Sequence, residues 1–413
     1  MSSSILFRVR PILFSVLMLG AGHNLFFVLL PVRLKQSGVD ESMIGFAMSL
    51  FAVGNILAGL WASRIVIRVG HVRAFVTTSA TLSSIAIAHS YLDDVWVTAL
   101  LRLLAGFCLY ASLIILESWL SVLCDRRTRG RIFGLSQICF SLGFGTAPLF
   151  LNVAGGYDVR IFGIVSVLLS FALVAMSMTR LPAPEIPASA CVMSLRRLWA
   201  CSPEGMITGF CAGLVGAASI SLVSLYAFEK GLVGIWLAIV LGSYQLGVLV
   251  TQLPSGWLAD RFDKGAVAIG LMLLGMLGNA LIVLDAYYSL PQIALVALFI
   301  LSGGAGAALF PLAVTQVFDR IGAGEALPAT ATLKVLLGVG GILGPLIAGF
   351  LMHRYGVVAL YCFIVAVHAA ALLLLLVRSY RSIRRETGLQ PQLRDRRHGG
   401  GPSLSGLQSG ADS

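Results

Sequence analysis

Charge is scarce in this sequence. Only 11% of its 413 residues are Asp, Glu, Lys or Arg, where a water-soluble chain carries about a quarter. With 58% hydrophobic residues, the polar remainder cannot cover the apolar surface, and a soluble fold is excluded. Acids are rarest, 18 in all, and they are too scattered to build the ionisable cluster of a membrane enzyme. The seven cysteines stand singly. Their spacing fits neither a metal site nor a redox pair, so they read as small packing residues. G-x-x-x-x-G-K-[ST] and H-E-x-x-H are both missing, which excludes an ATP motor and a zinc protease. The glycines of "SGGAGAALF" fall in mid-membrane sequence, which excludes a dinucleotide fingerprint. No metal and no cofactor is expected. The net charge of +11 comes without an aromatic-basic recognition patch, so no nucleic-acid partner is expected either.

What the chain has is long, continuous apolar runs. Each spans about 20 residues, the roughly 30 Å that a membrane helix needs. Alternating ten-residue segments are missing, so the spans are helices and not barrel strands. Twelve are expected, at about 11–32, 43–66, 73–92, 95–122, 132–153 and 161–180, then about 205–228, 233–258, 265–288, 290–317, 330–352 and 357–378. Arg8 and Arg10 before the first run imitate a signal peptide. The run is too long for one and more spans follow, so it stays as a helix.

Residues 1–180 form one expected six-helix bundle and 205–380 the second. Between them, 181–204 is a proline-rich, basic loop, and 381–413 cannot build a core and is expected to be disordered. Basic residues settle the orientation. With the N-terminus inside, the inner segments hold about 22 of them and the outer loops about five. Both termini are therefore expected in the cytoplasm. The halves echo each other. "GLWASRIVIRVGHVR" matches "QLPSGWLADRFDKG", and "GFGTAPL" matches "GGILGPL", each at a little under 200 residues' offset. Two such halves are a transporter architecture, with a solute bound between them.

These residues resemble the major facilitator superfamily over essentially all of the span-containing chain. Gly256, Asp260 and Arg261 in "GWLADRFDK" are similar to its loop signature, with Asp263 in place of the late glycine. The first copy is degenerate: Ser63 and Ile67 replace the glycine and the acid, while Arg68, Gly70 and Arg73 fit. Arg102 and Gly106 resemble the fourth-span R-x-x-x-G. Gly143, Ala147 and Pro148 approximate G-x-x-x-G-P in the fifth span; Gly340, Gly344 and Pro345 match it in the eleventh. "LLPVRL", "RVGHVRAF", "ESWL" followed by "RTRGR", and "LFPLAV" together resemble a bacterial YcaD-like subgroup. The resemblance implies an all-α membrane protein of two pseudo-symmetric bundles in the bacterial inner membrane. It implies a monomeric secondary transporter of a small organic solute, moved by alternating access. Protons are the expected coupling ion and efflux by antiport the expected direction. Proton-coupled uptake is the alternative, and a non-transporting sensor or enzyme the alternative from another class.

Five residues make up the candidate proton and solute pathway: Glu117, Arg102, His23, Asn24 and Tyr226. Glu117 is an intramembrane acid about 10 Å from the inner end of its helix. It either pairs with Arg126, Arg127, Arg129 and Arg131 or carries a proton or solute. Arg102 lies about 22 Å away along the same helix. It either snorkels outward past Asp93 and Asp94 or faces the central cavity. In proton-coupled members of the superfamily the matching arginine is tied to coupling, which the resemblance implies here. His23 and Asn24 lie deep in the first span, where a histidine is either a titrating site or bonded to a backbone carbonyl. Tyr226, with Ser221 and Ser224, is a candidate cavity lining. Lys334 is expected to snorkel to the inner surface. By pseudo-symmetry, Asp260 should latch onto Arg129 and Arg131 at the start of span five, and so hold the inner gate closed.

Overall fold

The computed structural model describes residues 3–92, 94–123, 129–178, 193–322 and 325–398. Among the described residues every long element is a helix: α1 Ser3–Gln36, α2 Glu41–Val69, α3 His71–Ala88, α4 Val95–Leu123, α5 Arg129–Thr146 and α6 Ile161–Ser177. After the short α7, Leu195–Cys201, come α8 Pro203–Glu229, α9 Gly234–Arg261, α10 Lys264–Tyr288, α11 Gln292–Phe318, α12 Ala326–Tyr355 and α13 Ala359–His398. Ten are long and apolar enough to cross a membrane, and α6 is a shorter apolar helix. With α3 they make the twelve spans. Helices dominate because hydrocarbon offers backbone amides no other partner.

Local chemistry sets the ends. Asp40 accepts from the Met43 amide at 3.0 Å and starts α2; Asp263 accepts from the Ala266 amide at 2.9 Å and starts α10. Asp263 therefore caps a helix at the position where the loop signature has glycine. Its φ of −56° needs no glycine, whereas Gly70, the single-residue link from α2 to α3, sits at φ +84°. At Pro148 α5 gives way to a 3-10 turn, Ala147–Ala154, which completes the fifth span where it was expected. Three expected boundaries are corrected. The first helix begins at Ser3. The central loop contains α7, which Ser194 caps through the Arg197 amide; 179–192 lie outside the described residues. Finally, α13 continues to His398 where structureless chain was expected, because its extension is rich in the helix formers Arg, Leu, Gln and Glu.

Each half is held by glycines that bring backbones together. A β-carbon at Gly54 would collide with the Leu103 carbonyl, and one at Gly106 with that of Phe51, so α2 and α4 touch. In the second half Gly247 meets the Ile300 carbonyl and Gly303 that of Tyr244, joining α9 to α11 in the same way. The seams repeat as well. Gly143 packs on the α1 backbone at Leu17, and Gly340 and Gly344 pack on α8 at Phe210 and Leu214. The two halves are thus one design used twice.

The halves meet at one end only. Gly45 and Gly349 touch, and the Gly341 and Gly338 positions face Ala52 and Ile56. Gln245 donates to Ser141 Oγ at 3.0 Å, the Tyr157 hydroxyl reaches the Ser224 carbonyl at 3.5 Å, and His353 approaches Glu41 at 3.6 Å. These contacts run from the helix ends remote from the chain termini to about the middle of α2 and α12. Toward the terminal face the same helices part, and Gly59, Leu60, Gly256 and Trp257 are exposed.

Candidate translocation site

The five pathway candidates fall into three places. Arg102 is fully buried. Its guanidinium carbon lies 4.1, 4.8 and 5.0 Å from the ring centres of Phe27, Phe51 and Phe26. None of its three side-chain nitrogens has a hydrogen-bond partner. It therefore neither snorkels outward nor lines the open space, and both expectations are corrected. The physical cause is Gly106, one turn along α4. It admits α2 so closely that Phe51 roofs the guanidinium. Three ring faces, at about 0.5–2 kcal/mol each, partly offset a desolvation cost of several kcal/mol.

His23 borders this cage, stacked on Phe51 at 5.1 Å and edge-on to Phe27 at 4.5 Å. It is half-buried and makes no hydrogen bond among the described residues, where the expected carbonyl bond is not formed. Asn24 is buried and donates from Nδ2 to the Phe144 carbonyl, fastening α1 to α5. His89 also adjoins the cage, its ring 5.0 Å from Phe26 and its Nδ1 2.8 Å from the Ile85 carbonyl. It escaped the sequence reading because it lies at a predicted span end, where a polar residue is unremarkable.

Tyr226 is elsewhere. It is fully buried and does not line the open space. Its hydroxyl donates to Asp285 Oδ2 at 2.6 Å, and Lys230 Nζ lies 2.6 Å from the same oxygen. The Leu290 amide completes the shell on Oδ1 at 2.7 Å. Asp285 was missed, because an acid near a helix end looks like a loop residue. Only the return of α10 beside α8 reveals its partners.

Glu117 and Lys334 are the charges that face open space. Glu117 is exposed and lines a cavity of about 110 Å³ with Val16, Leu113, Leu116, Ser136, Gln137 and Phe140. It makes no hydrogen bond or ion pair among the described residues. Arg131 is exposed, the Arg129 side chain is not described, and Arg126 and Arg127 lie outside the described residues, as does Asp93. Lys334 is exposed on α12, and its charge acts on Glu117 from across the two halves. It lies on the stripe Lys334, Gly338, Gly341, whose later members touch α2, one turn beyond the last contact.

Asp260 is exposed and makes no ion pair among the described residues, while Arg261 lies over Trp257 at 4.2 Å. Arg68 and Arg73 are exposed, and no neighbour crowds Gly256. Among the described residues α5 and α9 touch at Ser141 and Gln245 and at Gly145 and Gly242; the Arg129 side chain, the expected partner of Asp260 at the start of α5, is not described.

Twelve helices in two matched halves, with a space open to one face between them, define a polytopic transporter. The chain belongs to the major facilitator superfamily, whose family model matches residues 12–240 and 205–405. It is 24% identical over 355 residues to an uncharacterized MFS-type transporter, YcaD, of Salmonella enteritidis PT4 (strain P125109), covering 84% of this chain and 90% of that one. The YcaD protein of Salmonella arizonae is likewise 24% identical, over 375 residues, 89% of this chain and 95% of the relative. Among solved structures it resembles the nucleoside transporter NupG (D323A mutant), with a TM-score of 0.73 and 15% identity over 90% of this chain and 99% of that one. It also resembles a bacterial homolog of the human lysosomal transporter Spinster, with a TM-score of 0.67 and 12% identity over 91% and 96%. These relatives are transporters, so the protein is a YcaD-like transporter and not an enzyme.

Proposed function

We propose that this protein is a proton-driven exporter of a small organic solute in the bacterial inner membrane, with both termini in the cytoplasm. The orientation is supported by the basic residues gathered at the terminal face. One observation carries the coupling: Glu117, an intramembrane carboxylate without a hydrogen-bond or ion-pair partner among the described residues, lines a cavity between α1, α4 and α5. A carboxylate left unpaired at that depth costs free energy, and it lowers that cost by taking up a proton or a cationic group. Alternation of the halves then carries Glu117 between access to one face and closure. Arg102 and His23 lie at the closed end of the same helices, where their surroundings change when the far face opens.

The test is flux in proteoliposomes. Glu117→Gln should express and fold normally, lose pH-gradient-driven accumulation, and retain solute exchange at saturating solute concentration. Accumulation at the wild-type rate would leave Glu117 without a coupling role. The sign of the gradient that drives net movement distinguishes export from uptake.

A further inference from the structure

Glu117 and Lys334 lie on opposite halves, at one depth. Glu117 is about 9 Å from the terminal-face end of α4, and Lys334 is about 12 Å from the corresponding end of α12. Both are exposed, the Lys334 charge acts on Glu117, and neither makes a hydrogen bond or ion pair among the described residues. Above Lys334, α12 is closed on α2 through Gly338, Gly341 and Gly349; at Lys334 the helices have just parted. Ser136 and Gln137 add hydrogen-bonding groups to the Glu117 wall. The two charges are therefore the opposed poles of one opening.

We infer that Glu117 and Lys334 are the two ends of the solute site, and that the solute is a small zwitterion. Its ammonium meets Glu117 and its anionic group meets Lys334. The inference rests on the transporter reading above and names its substrate class. An amine alone satisfies one pole and leaves Lys334 bare; a carboxylate alone leaves Glu117 bare. A molecule with both charges satisfies both and ties one half to the other. It thereby favours the state in which the halves approach at this face. A carboxylate holding an ammonium cannot hold a proton at the same time, so this assignment makes exchange the mode of coupling.

The experiment is a thermal-shift screen of the purified full-length protein. The probes are α-amino acids and betaines, each beside the amine and the carboxylic acid that share its skeleton, at equal millimolar concentration. At least one zwitterion should stabilise the wild type more than both of its one-charge counterparts. Glu117→Gln and Lys334→Gln should each weaken that binding about 10- to 100-fold, and Lys334→Arg should preserve it. Both positions are exposed, so unliganded melting should match the wild type. The assignment is overturned if no zwitterion stabilises, if one-charge compounds do as well, or if the effect survives in both neutral variants. Solute flux in proteoliposomes separates the two failures: flux without zwitterion binding removes only the substrate class, and absence of all flux removes the transporter reading.

Discussion

Arg102 and Asp285 are both buried charges, and they stand in opposite situations. Asp285 is surrounded by a lysine, a tyrosine hydroxyl and a backbone amide. Removing it leaves Lys230 and Tyr226 without their partner, so Asp285→Ala should cost about 2–4 kcal/mol, read as a lower melting temperature in detergent. An unchanged melting temperature would show that the network contributes nothing to stability. Arg102 has rings and no counter-ion. Replacing such a charge with an apolar side chain of similar length is neutral or stabilising by about 1–4 kcal/mol. Arg102→Met should therefore melt at or above the wild-type temperature while transport falls at least about tenfold, the size of one lost charged interaction. A variant that melts lower would make Arg102 a structural residue. The R-x-x-x-G spacing was legible in the sequence. That its arginine is sealed among phenylalanines was not, since Phe26, Phe27 and Phe51 come from two other helices.

At the scale of helices, glycine contacts divide into two kinds. Gly106 packs α4 on α2 within one half, a contact that exists whichever way the halves rock. Gly45 packs α2 on the Pro345 carbonyl and Gly349 of α12, across the halves. A side chain at Gly45 therefore penalises only the state closed at the far face. Overpacking costs about 1–3 kcal/mol, enough to shift the populations about 5- to 150-fold. Gly45→Val should lengthen distances between spin labels at the far-face ends of α2 and α12. Gly106→Val should instead reduce folded yield without moving the populations. Equal behaviour of the two would refute this division. The glycine motifs in spans five and eleven were visible in sequence. Gly45 and Gly349 carry no motif, and only the meeting of α2 with α12 gives them a role.

For the whole molecule, the structure is one end of a rocking motion: closed at the far face and open at the terminal face. Asp260 makes no ion pair among the described residues. Its proposed partners at the start of α5 belong to the opposite state. There, attraction to the positive end of α5 and a surface ion pair together supply about 1–3 kcal/mol. Asp260→Asn removes this from the other state and nothing from this one, so the terminal-face-open fraction should rise. Spin labels at the terminal-face ends of α5 and α9 would report longer distances. An unchanged distribution would mean that Asp260 holds no gate.

By itself, the amino-acid sequence determined the solvent, the twelve spans, the two-fold repeat and the family. Each depends on local composition: apolar length decides what crosses a membrane, and repeated motifs survive as strings of residues. It also singled out Glu117, because an acid within an apolar run is costly wherever the helix lies. The tertiary structure decided everything that depends on which helices become neighbours. It sealed Arg102 and Tyr226 away, joined Tyr226 to Asp285 and Lys230, and set Lys334 opposite Glu117. Those pairings join residues far apart in the chain. Their energies come from packing, burial and the distance between charges, none of which a linear pattern contains.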